Sequence, residues 1–322
     1  EGKRLNKEAL SYKLAGKWIA DLTEMDIQKL YEFLRGVEEE RSRGGGLLSS
    51  MQSAIAAPII KEIRTRLEFM LNVGLSYLSL SRSSDSLSGG EHQRIRLATQ
   101  IGARLVNVLY ILDEPSIGLH QRDNQRLIES LKQLRDMGNS VIVVEHDEQI
   151  MRQADYIVDI GPRAGRLGGE VVFQGTPEDL LQVDTLTANY LKNSLSVSVA
   201  NGLTAKRSDS EAIRQRSGLL TLQGCRGNNL KNINVSFPLG KMVGVTGVSG
   251  SGKSTLVNQT LYPILRQHFY RSVQEPLPYD SISGLEHIDK VIAVNQAPIG
   301  RSPRSNPATY TSVFADIRDL FA

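Results

Sequence analysis

Gly247-Val248-Ser249-Gly250-Ser251-Gly252-Lys253-Ser254 fits the spacing G-x-x-x-x-G-K-[ST] and lies between a short apolar run and a helix-forming one. Chemistry on phosphates needs residues of these types. Small side chains at Gly247, Ser249, Gly250, Ser251 and Gly252 let successive backbone N–H groups curl round an anion. The helix that begins near Lys253 points its positive end at the same place. Lys253 reaches the β- and γ-phosphates, and the Ser254 hydroxyl is offered to Mg²⁺. Thr255 completes the expected nucleotide-binding set.

Three further groups have types and spacing suited to the same chemistry. The apolar run Val108-Leu109-Tyr110-Ile111-Leu112 ends in Asp113-Glu114, which puts two carboxylates at the sheet edge where nucleotides bind. Asp113 is expected to hold Mg²⁺ through water, and Glu114 to orient or deprotonate an attacking water. His146 follows a second apolar run, Val141–Val144, and Glu145, and fits a sensor of the γ-phosphate; a lone histidine is otherwise usually structural. Ser88-Gly89-Gly90-Glu91 opens a helix, and its hydroxyl and free N–H groups make an anion site or, more plainly, an N-cap.

The elements that must position these groups are legible from periodicity. Ile27, Leu30, Tyr31 and Leu34 follow helical spacing after a small hairpin, and Gly44-Gly45-Gly46 reads as an exposed break. Pro58 is expected in the first turn of a second helix with the apolar face Ile59, Ile60, Ile63, Leu67, Met70 and Leu71. Val108–Leu112, Val141–Val144 and Tyr156–Ile160 read as buried parallel strands, with a helix carrying Leu127, Leu131 and Leu134 between the first two. Gly168 to Pro177 reads as a turn, a strand and the start of a helix. Residues 194–217 read as a flexible linker. Beyond it, Leu219–Leu222 with Val235–Phe237 read as a hairpin, Met242–Thr246 as a buried strand, Lys253–Gln267 as a helix and Val291–Val294 as a last strand.

Composition sets the outer limits. The chain has 322 residues, enough for two or three modest cores at about 100–200 residues per domain. Its net charge of +3 carries no information about nucleic acid. One cysteine, Cys225, excludes an internal disulfide framework and a cysteine-based zinc site, and fits a reducing cytosol. No apolar run approaches the ~18 residues of a membrane span, so a cytoplasmic protein with no membrane is expected.

The order of the motifs is the reverse of a single ATP-binding cassette, which runs phosphate loop, Gln loop, signature, acidic strand end, histidine. Here the signature, Asp113-Glu114 and His146 come first, and the phosphate loop follows about a hundred residues later. The chain therefore resembles the middle of a tandem two-cassette protein, cut at both ends and without an initiator Met. Asn72-Val73-Gly74-Leu75, Leu87 to Gln100, Leu109 to Arg122, Ala154 to Pro177 and above all Asn295 to Tyr310 resemble the bacterial UvrA family of excision-repair ATPases. The fold class implied is α/β: ABC-type P-loop NTPase segments with a mostly parallel sheet and flanking helices, plus a helical signature region. Residues 1–104 become the signature region of cassette I, 105–193 its C-terminal α/β part, 194–217 a linker and 218–322 the start of cassette II.

That resemblance implies ATP and Mg²⁺ as cofactors and Gln296 as the Gln-loop residue touching Mg²⁺ and the nucleophilic water. It implies an ABC ATPase of nucleotide excision repair and the SOS response, an excinuclease subunit that binds damaged double-stranded DNA, hands it to UvrB and works as a homodimer. The family's zinc cysteines, first phosphate loop and UvrB-binding domain lie outside this sequence, so no zinc is expected here. In the intact parent the signature at Ser88–Gly90 would serve the ATP held by Lys253. Each half-cassette lacks its complement, so the chain by itself is expected to bind ATP and barely hydrolyse it. One alternative stands beside this: the strand ending at Asp113 docks beside Met242–Thr246, giving a permuted hybrid cassette, which a linker spanning ~25 Å would allow. Arg64, Arg66, Arg94, Arg96 and Arg104 form a basic set, read either as solvated helix faces or as DNA-phosphate contacts. The rival functions are a translation-type tandem-cassette factor and a nucleotide-binding module without turnover.

Overall fold

The computed structural model describes residues 13–42, 50–103, 105–117, 119, 121–195, 218–299 and 305–321. Contacts divide the chain into two compact units, Glu1–Arg104 with Gly118–Leu127 and Gln296–Ala322, and Leu105–Ile117 with Ile128–Asn295. The division expected from sequence differs from this one. Residues 105–193 and 218–295 are not separate α/β pieces but contribute strands to one sheet, and 296–321 go with the signature region.

The first unit is mainly helical. Strands β1 (Lys13–Leu14) and β2 (Lys17–Trp18) pair antiparallel and lead into α1 (Ile19–Glu24), α2 (Ile27–Ser42) and α3 (Ser50–Asn72). Ile27, Leu30 and Leu34 of α2 and Ile60, Ile63, Leu67 and Met70 of α3 are buried, as their 3.6-residue spacing requires. The expected helix start at Pro58 is corrected: α3 begins eight residues earlier, at Ser50, and carries Pro58 in its interior. Pro58 is exposed, so the carbonyl it leaves without an N–H partner lies where solvent can serve it. The Gly44–Gly46 break lies outside the described residues. α4 (Gly89–Gly102) is the helix behind the signature, with Ile95, Leu97, Ala98 and Ile101 buried. The C-terminal helices Pro307–Tyr310 and Val313–Leu320 complete this unit; the second packs on α3 through Val313 and Ile317.

The second unit is built on a six-stranded sheet. In chain order its elements are β3 (Val108–Asp113), the part of α5 (Gln121–Asp136) from Ile128 onward, β4 (Ser140–Val144), α6 (Glu148–Gln153), β5 (Tyr156–Gly161), β6 (Glu170–Gly175), α7 (Pro177–Leu180) and α8 (Leu186–Leu195). The linker expected over 194–217 is corrected at its start, since residues 194 and 195 belong to α8, and the rest of it lies outside the described residues; beyond it come β7 (Leu219–Cys225), β8 (Ile233–Pro238), β9 (Met242–Thr246), α9 (Tyr262–Tyr270), β10 (Ser281–Ser283) and β11 (Lys290–Val294). The large sheet runs β11-β3-β4-β9-β5-β6, parallel except for the edge strand β6. A smaller antiparallel sheet runs β10-β7-β8. Polar alternation is absent from the inner strands because both faces are covered: every residue of β4 and β9 is buried.

The hybrid sheet is therefore the observed arrangement, with one difference from the sequence reading. β9 docks between β4 and β5 rather than beside β3, which lies one strand further off. Val141 N donates to Lys241 O at 2.9 Å and Glu145 N to Val245 O at 3.1 Å, extending the ladder past both ends. One core joins the two sheets, through Leu109, Ile142 and Val158 on one side and Leu220, Val235 and Phe237 on the other.

The helix after the phosphate loop also departs from expectation. Its segment Thr255–Leu261 is π-helical before α9 continues to Tyr270. Pro263 explains this locally, since it has no N–H to give the Gln259 carbonyl. That carbonyl accepts instead from Leu277 N at 3.0 Å. No helix among the described residues is long and apolar enough to cross a membrane.

Candidate nucleotide site

β9 delivers the chain to the phosphate loop at Gly247, where φ is +130° and a Cβ would come within 1.9 Å of Ile160 O. Only glycine fits there, because the loop must leave the strand by passing close over the β5 backbone. The Ser251 N–H closes a turn on Val248 O at 3.1 Å. The Ser251 hydroxyl is buried and without a hydrogen-bond partner, and a Cβ on Gly247 would come within 3.0 Å of it.

Lys253 is 5 % exposed, and its Nζ donates to Gly247 O at 2.9 Å and Val248 O at 3.0 Å. It is thus folded back on its own loop, where a phosphate would draw it off for stronger, charge-assisted partners. Burial lowers its pKa, against the opposing fields of Glu114, Asp159 and Asp113. Ser254 and Thr255 begin the helix, and Thr255 receives a 3.4 Å contact from Asn228 Nδ2.

The parallel register brings the two sequence halves to one edge. Asp113 pairs with Val144, and Val144 with Val245, so the carboxyl ends of β3, β4 and β9 lie level. Asp113 Oδ2 accepts from Asn258 Nδ2, on the helix after the phosphate loop, at 2.8 Å. Burial raises the Asp113 pKa more than Asn258 lowers it. Glu114 sits in the left-handed region at φ +46°, a conformation that turns its side chain out of the strand direction. Its Oε1 is 3.5 Å from His146 Nε2.

Two buried carboxylates were not singled out by spacing. Glu145, 2 % exposed, accepts the N–H groups of Ser116 (2.8 Å), His146 (2.9 Å) and Asp147 (3.2 Å), and so fixes the backbone on either side of the Glu114–His146 pair. Asp159, 2 % exposed within β5, accepts from Thr187 Oγ1 of α8 at 2.9 Å. Burial raises its pKa, while Thr187, Thr185 and the charge of Lys253 act the other way. A carboxyl raised in the folded state binds more protons there than when unfolded, so its contribution to stability falls as pH rises from about 4 through its folded pKa. Asp159→Asn, which removes the ionised form, is expected to raise the Tm of the nucleotide-free protein at pH 8 and to flatten its decline above pH 5, by calorimetry across pH. A Tm lowered equally at every pH would contradict this.

The signature residues lie in the first unit. Ser88 Oγ donates to Glu91 Oε2 at 2.9 Å and accepts from Glu91 N at 3.3 Å, and Ser88 N donates to Glu91 Oε2 at 2.7 Å. This is a reciprocal capping box, so the hydroxyl is engaged in its own helix start. Burial pushes the Glu91 carboxyl up, but the Ser88 bonds and the Tyr77 hydroxyl, donating at 2.8 Å, hold it below the usual range. Gly89 is open enough for Gln296 to lie against it; a Cβ there would be 3.1 Å from Gln296 Oε1. Gly90 continues the first turn of α4.

Three of the basic set are tied within the same unit. Arg64 pairs with Glu38 and Tyr31, and Arg66 bonds Glu62 (3.0 Å), Asp316 (3.3 Å) and Thr311 O (2.8 Å). Arg96 donates to Pro298 O at 3.0 Å, and Arg94 is 4 % exposed. Arg64, Arg66 and Arg96 are thus tied by these bonds, whereas Arg94 is buried with its Nε and NH1 lacking hydrogen-bond partners among the described residues. Arg104 lies outside the described residues.

Comparison with known proteins comes out uniformly. Over 322 residues the chain is 52 % identical to UvrABC system protein A of Thermus thermophilus, covering 100 % of this chain and 32 % of that protein. It is 53 % identical over 325 residues to UvrABC system protein A of Streptococcus mutans, covering 100 % and 33 %. Among solved structures, the crystal structure of UvrA2 from Deinococcus radiodurans matches with a TM-score of 0.56 at 42 % identity, over 97 % of this chain and 37 % of that one. The chain spans about a third of the length of these relatives. No protein-family model matches it.

Proposed function

Because this chain belongs along its whole length to the UvrA family, we propose that it binds ATP with Mg²⁺ on the phosphate loop Gly247–Thr255 and hydrolyses it as part of a DNA excision-repair ATPase. The observation that supports this best is the insertion of β9 between β4 and β5, which sets Lys253 within electrostatic reach of Asp113 and Glu114. Ser254 and, through water, Asp113 are the residues that would hold Mg²⁺; this ion commonly keeps several waters and takes only one or two carboxylates beside the phosphates. The ion's contribution would be to neutralise charge on the transferring phosphoryl group. Glu114 orients the attacking water, His146 holds Glu114 and reads the γ-phosphate, and Gln296 belongs to the same reaction as the Gln-loop residue. The hybrid sheet favours turnover by the chain itself over the barely hydrolysing pair of half-sites. Damaged double-stranded DNA, hand-over to UvrB, a cytoplasmic location and homodimerisation are proposed on the family relationship alone.

Lys253→Ala is the direct test of the nucleotide site. It removes one charge-assisted contact worth about 1.5–3 kcal/mol, so ATP affinity is expected to fall at least about tenfold. Titration calorimetry on the folded variant reads this. Affinity equal to that of the parent chain would remove the phosphate loop from the proposal.

A further inference from the structure

A phosphate loop that turns its N–H groups inward must turn its carbonyls outward, and outward carbonyls need partners of their own. In this protein they are met by two segments remote in sequence. Gly165 N donates to Gly250 O at 3.0 Å, and Gly169 N donates to Ser251 O at 2.8 Å. The side-chain amide of Asn229 donates to the same two carbonyls, Gly250 O at 3.2 Å and Ser251 O at 3.0 Å, and to Gly165 O at 3.2 Å. The main chain then closes the assembly, with Lys231 N donating to Gly169 O at 2.9 Å.

The approach is close throughout. Gly169 has φ +80°, and a Cβ there would fall 1.7 Å from Asn229 O. A Cβ on Gly252 would be 3.3 Å from Asn229 Oδ1. Asn229 therefore touches the convex side of the loop at Gly250, Ser251 and Gly252, the stretch whose concave side faces the phosphates. Glutamine would overreach this gap, and leucine would fill it without a donor.

We infer that Asn229, with the turn Gly165–Gly169, is a splint that holds the phosphate loop in its anion-binding conformation before nucleotide arrives. Asn229 is thus a positioning residue for ATP binding, acting through the carbonyls of Gly250 and Ser251 and making no contact with ATP itself. The inference rests on the nucleotide site proposed above. Without the splint those peptides rotate, and ordering them falls on the binding step, which weakens affinity without changing the water-activating groups.

The experiment measures ATP affinity by displacement of a fluorescent nucleotide, turnover at saturating ATP, and Tm without nucleotide, for Asn229→Leu and Asn229→Ser. Both variants are expected to bind ATP about tenfold more weakly, as loss of two shared hydrogen bonds implies. Turnover at saturation is expected to stay within about twofold, since an interaction spent on binding moves affinity and not the chemical step. Asn229 is half-buried and lies outside the apolar core that joins the two sheets, so the serine variant is expected to keep its Tm within about 4 °C. ATP affinity within about twofold of the parent chain in both variants would overturn the splint. So would a fall in saturated turnover with affinity unchanged. Lys253→Ala separates the two levels of the argument: affinity unmoved by Lys253→Ala removes the site itself, whereas affinity moved by Lys253→Ala and not by either Asn229 variant removes only the splint.

Discussion

Glu114→Gln is expected to lower ATP turnover by about 10²–10⁴-fold while leaving ATP affinity within about twofold. The amide keeps the size of the carboxylate and much of its hydrogen bonding, but it neither accepts a proton nor holds the water with a full charge. The residue is placed for the task by two features. Its φ of +46° turns it off the end of β3, and His146 Nε2 stands 3.5 Å from its Oε1. The affinity is spared because the binding contacts belong to Gly247–Thr255, the loop and helix start that follow β9. A phosphate-release assay beside equilibrium binding reads both quantities. Turnover unchanged in the glutamine variant would take Glu114 out of the mechanism. Tight ATP binding by the parent chain with no turnover at all would restore the reading in which each half-cassette waits for an absent complement.

Asp155→Ala is expected to destabilise the second unit by about 2–4 kcal/mol, because it breaks a partly buried ion pair and leaves a backbone donor unmet. Asp155 holds β9 to the strands that precede it. Its Oδ2 accepts from Met242 N at 2.8 Å, and its own N–H donates to Met242 O at 2.9 Å. Arg135 clamps the same carboxylate with NH1 at 2.8 Å and 2.9 Å from the two oxygens. All three residues come together at the start of β9, so the loss is felt where the two sequence halves join. Denaturant unfolding with the apparent ATP affinity measured on the same samples tests this. A variant as stable as the parent, or one destabilised with no effect on nucleotide-dependent stabilisation, would show that the β4-β9-β5 seam is not what presents the phosphate loop.

The sequence carried the local chemistry without help. The spacing of Gly247, Gly252, Lys253 and Ser254 determines a loop that must bend tightly and then enter a helix, since only glycine tolerates φ of +130° against the Ile160 carbonyl. The runs Val108–Leu112, Val141–Val144 and Met242–Thr246 announce doubly covered strands by having no polar alternation. Ser88 and Glu91, three residues apart, announce a capped helix start. Each of these signals is decided within one turn or one strand, where the interacting atoms are close in the chain.

What only the tertiary structure decided was which strand lies beside which. An apolar run states that it will be covered and not by what, so β9 between β4 and β5 was one of several arrangements that patterning alone left equal. Glu145, Asp159 and Asn229 carry no local signal for the same reason: their partners at Ser116, Thr187 and Gly250 lie 29, 28 and 21 residues away. The arginines of the first unit read as a basic set because charge is visible in sequence and pairing is not; Arg66 meets Thr311 across 245 residues. Pro58 read as a helix start because the rule is local, and it became a helix interior because Ile60, Ile63, Leu67 and Met70 are buried on one continuous face. Burial of that face outweighs one missing hydrogen bond, and burial is a property of the folded whole.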